Sequence, residues 1–425
     1  MKVFLDSIGC RLNQSEIEHM ALQFRAAGHS LVDSAAEADL VVVNTCAVTT
    51  QASSDSRQKI RQAHRSGPAA IAVTGCWSTL DPAAAEALPG VQWVIPNVTK
   101  DELVPGILHL PASEMDQESL ARQPLPGLHW RTRAFIKAQD GCDNFCTFCV
   151  TRLARGKGHS IPAGEIVKDV RRAVEGGAKE IVLTGVHLGS WGRDFETPLT
   201  LGDLIETLLK ESGFFARLRL SSLEPWDLDH SFFSLWQDER MCRHLHLPLQ
   251  SGSAGTLRRM ARKITPQSYA ALLSQARSFI PGLAVTTDII AGFPGETDDE
   301  FAETLDYVKQ AAFAGGHVFT FSARPGTAAA RYPDPVAPAV RKERGAALRA
   351  VLAAAGEVYR VGFTGQVMPV LWEASSGLGP AGWKMEGLTS NYLRVRASSP
   401  EKLWNQISQV RLDSVSPDGM EGEII

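Results

Sequence analysis

The hydrophobic pattern of the chain changes character twice. In the first hundred residues, unbroken apolar runs alternate with stretches of helical periodicity. KVFLDSIGC reads as a short buried strand ending at Gly9 and Cys10, and Asn13 to Ala27 then carries an apolar stripe through Ile17, Met20, Ala21 and Phe24. ADLVVVNTCAVT is a continuous strand that delivers Cys46, a polar helix follows from Ala52 to Ser66, AAIAVTGCWS delivers Cys76, and VQWVIPN supplies a fourth strand. Buried strands alternating with helices predict a parallel, Rossmann-like α/β layer whose binding edge lies at the carboxyl ends of the strands. Cys10, Cys46 and Cys76 all fall on that edge.

Thr99 to Thr132 has several prolines and little periodicity, and reads as a linker or docking segment. From Arg133 the alternation resumes. AFIKAQ, EIVLTG, RLRLSS, HLHLPL, AVTTDIIAG and HVFTFS are strands, with helices near Pro162–Glu175, Leu201–Lys210, Ser253–Met260, Pro266–Phe279 and Glu300–Ala314. Six such units predict a partial (β/α)6 barrel with its chemistry at the carboxyl ends of the strands. After Val361 the pattern changes to short strands and turns, as in a small β-barrel. The expected organisation is α/β multidomain, divided as residues 1–125, 126–362 and 363–425.

Composition narrows the class. The chain has 425 residues, 44% hydrophobic and 21% charged, as in an ordinary globular protein of two or three domains. No apolar run is long enough to span a membrane and MKVFLDSIGC lacks a signal-peptide pattern, so no membrane association and a cytoplasmic location are expected. Seven cysteines, an odd number with three in one loop, argue against a disulfide framework and for metal chemistry in a reducing compartment. A net charge of -4 supplies no global attraction to nucleic acid, so any polyanion must be held by local patches.

The most informative stretch is CDNFCTFC, which spaces Cys142, Cys146 and Cys149 as C-x3-C-x2-C. Three thiolates on one loop can hold three corners of a [4Fe-4S] cube, leaving the fourth iron open to a ligand. The alternatives are a zinc knuckle or cysteines crowded by chance, but zinc usually needs a second cysteine pair or histidines that this loop lacks. The segment closely resembles the radical S-adenosylmethionine (SAM) enzymes. That resemblance implies that the open iron binds SAM and that an electron from the cluster cleaves it to a 5'-deoxyadenosyl radical.

A lone free cysteine is usually a small buried hydrophobe, a reading that weakens for three at equivalent strand ends. The contexts GCRLNQSE, VNTCAVT and VTGCW resemble the N-terminal domain of the methylthiotransferases, a subgroup of those enzymes. The resemblance implies a second [4Fe-4S] cluster on Cys10, Cys46 and Cys76, which receives the sulfur to be inserted. It also assigns SAM-binding roles to Gly185, Ser222, Glu224, Gln250, Ser251 and Gly292. Basic residues near the barrel mouth, Arg152, Arg155 and Lys157, are candidates for phosphate contact, beside the solvated surface that charge runs usually form. A second run, Arg258, Arg259, Arg262 and Lys263, carries the same alternatives, and a third, from Arg341, reads as solvated surface. Cys242 reads as core, and His244 and His246 as strand residues.

GLTSNYLRVR resembles the TRAM domain, an OB-like RNA-binding module of tRNA-modifying enzymes. The last 63 residues hold five basic and seven acidic side chains, so RNA recognition there would rest on a few groups: Lys384, Tyr392, Arg394 and Arg396. Ala47 after Cys46, with QDGCDNFCTFC, most resembles enzymes that convert N6-threonylcarbamoyladenosine beside the tRNA anticodon to its 2-methylthio derivative. Relatives acting on isopentenyladenosine tend to have serine there, and those acting on a ribosomal-protein aspartate tend to have glycine. The implied partners are the anticodon stem-loop of a tRNA and an electron donor such as a flavodoxin or ferredoxin; the sulfur donor is not indicated. A non-enzymatic iron–sulfur protein that binds RNA or senses redox state is the alternative from another class.

Overall fold

The computed structural model describes residues 1–67, 70–111, 132–211, 215–380 and 382–425. In the first domain β1 (Lys2–Ser7), β2 (Ser30–Leu31), β3 (Leu40–Thr45), β4 (Ala70–Gly75) and β5 (Val91–Ile95) form a parallel sheet in the order β2-β1-β3-β4-β5. Strand residues alternate between two apolar layers. Leu40 and Val42 pack with Ile17, Met20, Ala21 and Phe24 of the helix Arg11–Ala26, whereas Val41 and Val43 pack with Ile60 and Ala63 of the helix Thr50–Arg65. Burial on both faces explains the absence of polar alternation in the sequence. β2, with two residues, is too short to leave a periodic signal.

The supposed linker is in part structured. Asn97–Glu102 forms a 3-10 turn and Leu103–Leu108 a helix, with Leu103 and Val104 buried in the same apolar layer as Ile17 and Phe24 of the helix Arg11–Ala26. The remainder, residues 112–131, lies outside the described residues, as does the expected boundary at 125/126.

All six predicted strands of the central domain form: β6 (Arg133–Asp140), then, after the short β7 (His159–Ser160), β8 (Glu180–Gly185), β9 (Arg217–Leu220), β10 (His244–His246), β11 (Ala284–Ala291) and β12 (Gly315–Thr320). They divide into two sheets, β7-β6-β8-β9 and β10-β11-β12. Isolated bridges, Leu218 to Met241 and Ser222 to His246, connect them. β7 adds an antiparallel edge to β6. A helix of 24 residues, Pro338–Val361, was not expected. It buries Arg344, Leu348, Leu352 and Gly356, a narrow stripe every fourth residue with a charge at its head, which masks its periodicity.

In the third domain β13 (Val367–Gly379), β14 (Gly382–Thr389), β15 (Arg394–Ser399), β16 (Ile407–Ser416) and β17 (Gly419–Ile424) close a barrel in the order β13-β14-β15-β17-β16. Val370, Trp372, Met385, Val395, Val410 and Met420 fill it. Among the described residues no helix is long and apolar enough to cross a membrane.

A buried charge cluster joins the third domain to the amino ends of β8 and β9. Arg219 Nε donates to Glu180 at 2.6 Å, while Arg217 donates to the carbonyls of Leu388 and Pro369, and Arg219 to those of Thr389 and Ser390. Burial by itself raises the Glu180 carboxyl, but Arg219, with Arg133 and Arg217, holds it down at about 2. A group with a lowered folded value stabilises fully above its unfolded value of ~4.3 and loses that contribution as pH falls toward the folded one. The difference corresponds to roughly 3 kcal/mol. Glu180→Gln is therefore expected to lower the melting temperature at pH 7 by several degrees and to flatten its fall below pH ~4.3, measured by calorimetry. An unchanged melting temperature at pH 7 would refute this role.

Candidate functional site

The three N-terminal cysteines stand at the carboxyl ends of β1, β3 and β4, which are neighbours in the sheet. Cys10 precedes the helix Arg11–Ala26, Cys46 follows β3 directly, and Cys76 opens the short helix Cys76–Leu80. Close approach of these loops depends on two glycines. A Cβ on Gly9 would lie 2.8 Å from Cys46 Sγ, and one on Gly75 would lie 2.4 Å from the backbone of Thr45; both have positive φ. Asn13 ties two of the loops together, its Nδ2 donating to the carbonyls of Ile8 (2.7 Å) and Thr45 (3.1 Å) and its Oδ1 accepting from Cys10 Sγ at 3.7 Å. Asn97 Nδ2 lies 3.7 Å from Cys76 Sγ, and its buried Oδ1 has no partner.

Burial pushes the Cys46 thiol up to about 11. A thiol raised in this way keeps its proton unless a metal replaces it, since a bound cation inverts the local electrostatics. Among the described residues no three Cys, His, Asp or Glu side chains converge tightly enough for a single ion. Three thiol sulfurs are soft donors of the kind that hold the irons of a [4Fe-4S] cluster.

The second triad follows β6. Its loop is pinned by Cys142 N donating to Gly156 O (3.2 Å), Cys149 N to Cys146 O (3.1 Å) and Thr147 Oγ1 to Arg259 O (2.8 Å). Arg262, almost wholly buried, donates to Cys146 Sγ (3.8 Å), Glu224 Oε1 (3.1 Å) and Pro248 O (2.7 Å). Burial pushes the Cys146 thiol up to about 11, with Arg262 acting against it. His187 lies 2.6 Å from Asp227 and 3.3 Å from Asn144 of the same loop. Burial opposes its charge, yet the Asp227 carboxylate and the Cys142 sulfur push it up to about 9.

Other predicted residues separate into two groups. Gly185, Ser222, Glu224, Gln250 and Gly292 lie at or just beyond the carboxyl ends of β8 to β11, the edge that also carries the Cys142 loop. Gly185 rests against Gln139, Glu224 is engaged by Arg262, and Gly292 N donates to Glu296 Oε1 at 3.0 Å. Ser251 departs from expectation: it is fully buried and its hydroxyl is shared with Thr304 and Ser253 N, so it supports the loop without facing a ligand.

Of the RNA candidates, Lys157, Lys384 and Arg394 are exposed, and Arg396 is exposed but held by Glu386 at 3.1 Å. Arg155 is not a surface cation. It is buried between Glu16 and Asp140, so its charge is already neutralised. Tyr392 is not an open stacking platform either: its ring stacks on His244 at 4.1 Å and its hydroxyl accepts from Arg11 at 3.0 Å. Arg259 and Arg344 are likewise paired, with Glu300 and Glu296. Cys242 and His244 are buried, as their strand positions suggested.

Sequence reasoning missed three exposed apolar side chains. Phe145, within the cysteine loop, is 73% exposed, and Val48 and Leu153, close in sequence to Cys46 and Cys149, are 56% and 52% exposed. The Arg152 guanidinium lies over the Phe145 ring at 3.9 Å, and its buried Nη1 has no partner. The available signal was an aromatic residue inside a metal-binding loop, where no core requires it. A cavity of ≈360 Å³ elsewhere, lined by His19, Gln23, Lys137 and Asp169 among others, contains none of the six cysteines and is not the reaction site.

Residues 2–95 match the family described as "Uncharacterized protein family UPF0004", and residues 136–308 match the "Radical SAM superfamily". The chain is 35% identical to "Threonylcarbamoyladenosine tRNA methylthiotransferase MtaB" of Bacillus subtilis, over 100% of this chain and 96% of that one. Identity to the protein of the same name from Thermotoga maritima is 34%, over 98% and 96% of the two chains. A "tRNA-2-methylthio-N(6)-dimethylallyladenosine synthase" of Geobacillus kaustophilus is 32% identical over 100% of this chain and 82% of that one. In fold, the chain is similar to the radical SAM methyltransferase TsrM of Kitasatospora setae, with a TM-score of 0.58 at 15% identity, covering 77% of this chain and 76% of that one.

Anaerobic reconstitution is expected to load about eight irons per chain, the arithmetic of two cubes, with about half lost in Cys46→Ala. About four irons in the native chain, undiminished by that substitution, would refute a cluster on the first triad.

Proposed function

The chain belongs to the radical SAM methylthiotransferases that act on tRNA, and from that premise we propose that its substrate is N6-threonylcarbamoyladenosine beside the anticodon, modified at C2. The observation that carries this reading is full-length similarity to two relatives named for that nucleoside. Similarity to dimethylallyladenosine enzymes at 32% keeps the isopentenyl nucleoside as the second reading.

An aromatic C–H has no usable acidity, so two [4Fe-4S] clusters and SAM supply the one-electron chemistry when bound. The protein's own groups position and enclose. Cys10, Cys46 and Cys76 hold one cluster, and Cys142, Cys146 and Cys149 the other. The segment at Gly185 lies along the methionine part of SAM and that at Gly292 beside its adenine, with Gln250 at the end of the strand between them, and Arg262 holds the Glu224 carboxylate at the same edge. Phe145 and Arg152 offer a flat cationic platform for an unstacked base at the mouth, where Val48 and Leu153 exclude water. Lys157, Lys384 and Arg394 are free to meet phosphates. A tRNA substrate supports a cytoplasmic location, and a flavodoxin or ferredoxin is the class of donor able to supply the electron.

Mass spectrometry of tRNA nucleosides from a strain lacking the protein is expected to show loss of the 2-methylthio derivative of threonylcarbamoyladenosine. Loss of the isopentenyl counterpart would favour the second reading, and an unchanged profile refutes both. Replacing the stacking surface, Phe145→Ala, is expected to raise KM for tRNA on the order of 10-fold while leaving tRNA-independent SAM cleavage nearly intact. An unaltered KM removes Phe145 from the base-binding surface.

A further inference from the structure

Four charged side chains are buried together between the first and central domains. Arg155 and Glu16 each expose 2% of the side chain, Lys100 3% and Asp140 8%. Dehydrating four ions is costly, and apolar packing of the same volume would stabilise the junction as well, so such a cluster is better understood as fixing register. Its register connects the two cysteine triads. Arg155 Nη2 donates to Asn13 Oδ1 at 2.8 Å, and Asn13 is the residue that accepts from Cys10 and donates to the carbonyl preceding Cys46. Arg155 Nη1 donates to Asp140 Oδ1 at 2.9 Å, and that oxygen accepts from the backbone N–H of Gly141, directly before Cys142. Arg155 also donates to Glu16 Oε1 at 2.8 Å, and Lys100 (2.8 Å) and Asn44 (2.9 Å) hold the other Glu16 oxygen from the first domain.

We infer that Arg155 is a positioning residue: one planar guanidinium, reaching Asn13 with one nitrogen and Asp140 with the other, sets the separation between the two cluster sites. The inference rests on the proposed function, in which both sites must address one carbon of one substrate. A rigid link between them ties radical formation to sulfur capture, because a small displacement of either site lets the activated substrate wait unpartnered. Glu16 and Lys100 complete the charge balance and make no hydrogen bond to a cysteine side chain. Only a forked, permanently charged donor can serve both directions, so lysine is not an equivalent.

The test compares Arg155→Met, Arg155→Lys and Lys100→Met with the native holoenzyme by two measurements: methylthiolated nucleoside formed per 5'-deoxyadenosine, and the magnetic dipolar coupling between the two reduced clusters. Both Arg155 variants are expected to retain their iron and to form deoxyadenosine at about the native rate, while the product ratio falls on the order of 10-fold or more and the distribution of inter-cluster distances broadens. Lys100→Met is expected to lower the melting temperature and leave both measurements unchanged. Native values for Arg155→Met overturn the inference, as does a ratio that falls equally in Lys100→Met, which would mark a general loss of stability. Where the Met variant fails to hold iron, Arg155→Lys decides by the same two measurements. If the native protein thiolates no tRNA, the proposed function fails, while the inter-cluster distances still decide the role of Arg155.

Discussion

The structure depends on a parallel sheet and a largely parallel one, from different domains, that bring their carboxyl edges to a common buried junction. Each edge carries a cysteine triad, and the proposed reaction draws on both. A buried guanidinium, that of Arg155, bonds Asn13 on one side and Asp140 on the other and so holds the edges in register. Charge buried in this way contributes little net stability, but its directional donors tolerate few geometries.

Within each edge the constraint is backbone proximity. In the first domain the cysteines come from loops separated by about 30 residues or more, and those loops meet because Gly9 and Gly75 leave no side chain in the way. In the central domain the three cysteines share one loop, so local spacing does most of the work, with Arg262 and Thr147 fixing the loop to the barrel. The first triad is assembled by topology and the second by sequence.

The third domain occupies a different position from the one its composition suggests. Its turn around Tyr392 docks at the amino ends of β8 and β9, where Arg217 and Arg219 donate to its carbonyls, and Tyr392 reaches Arg11 beside Cys10. Several basic and aromatic groups that could have met RNA are used to hold domains together. Lys157, Lys384 and Arg394 stay exposed, few cations in keeping with a net charge of -4.

Much was legible in the amino-acid sequence. Apolar runs and their spacing located four strands of the first domain, six of the central one and the change to a β-barrel, because burial on one or two faces leaves a local period. C-x3-C-x2-C identified the second triad because its ligands are neighbours in the chain. Strand-end position grouped Cys10, Cys46 and Cys76, because parallel topology places equivalent ends on one edge. Tertiary structure alone decided which charges are free. Arg152, Arg155 and Lys157 lie within six residues, yet one stacks on an aromatic ring, one is buried in an ion cluster and one faces solvent. The partners that bury Arg155, Glu16 and Asn13, come from a distant segment. Local sequence carries periodicity and spacing, but the dielectric and partners of a charge are properties of the packed fold.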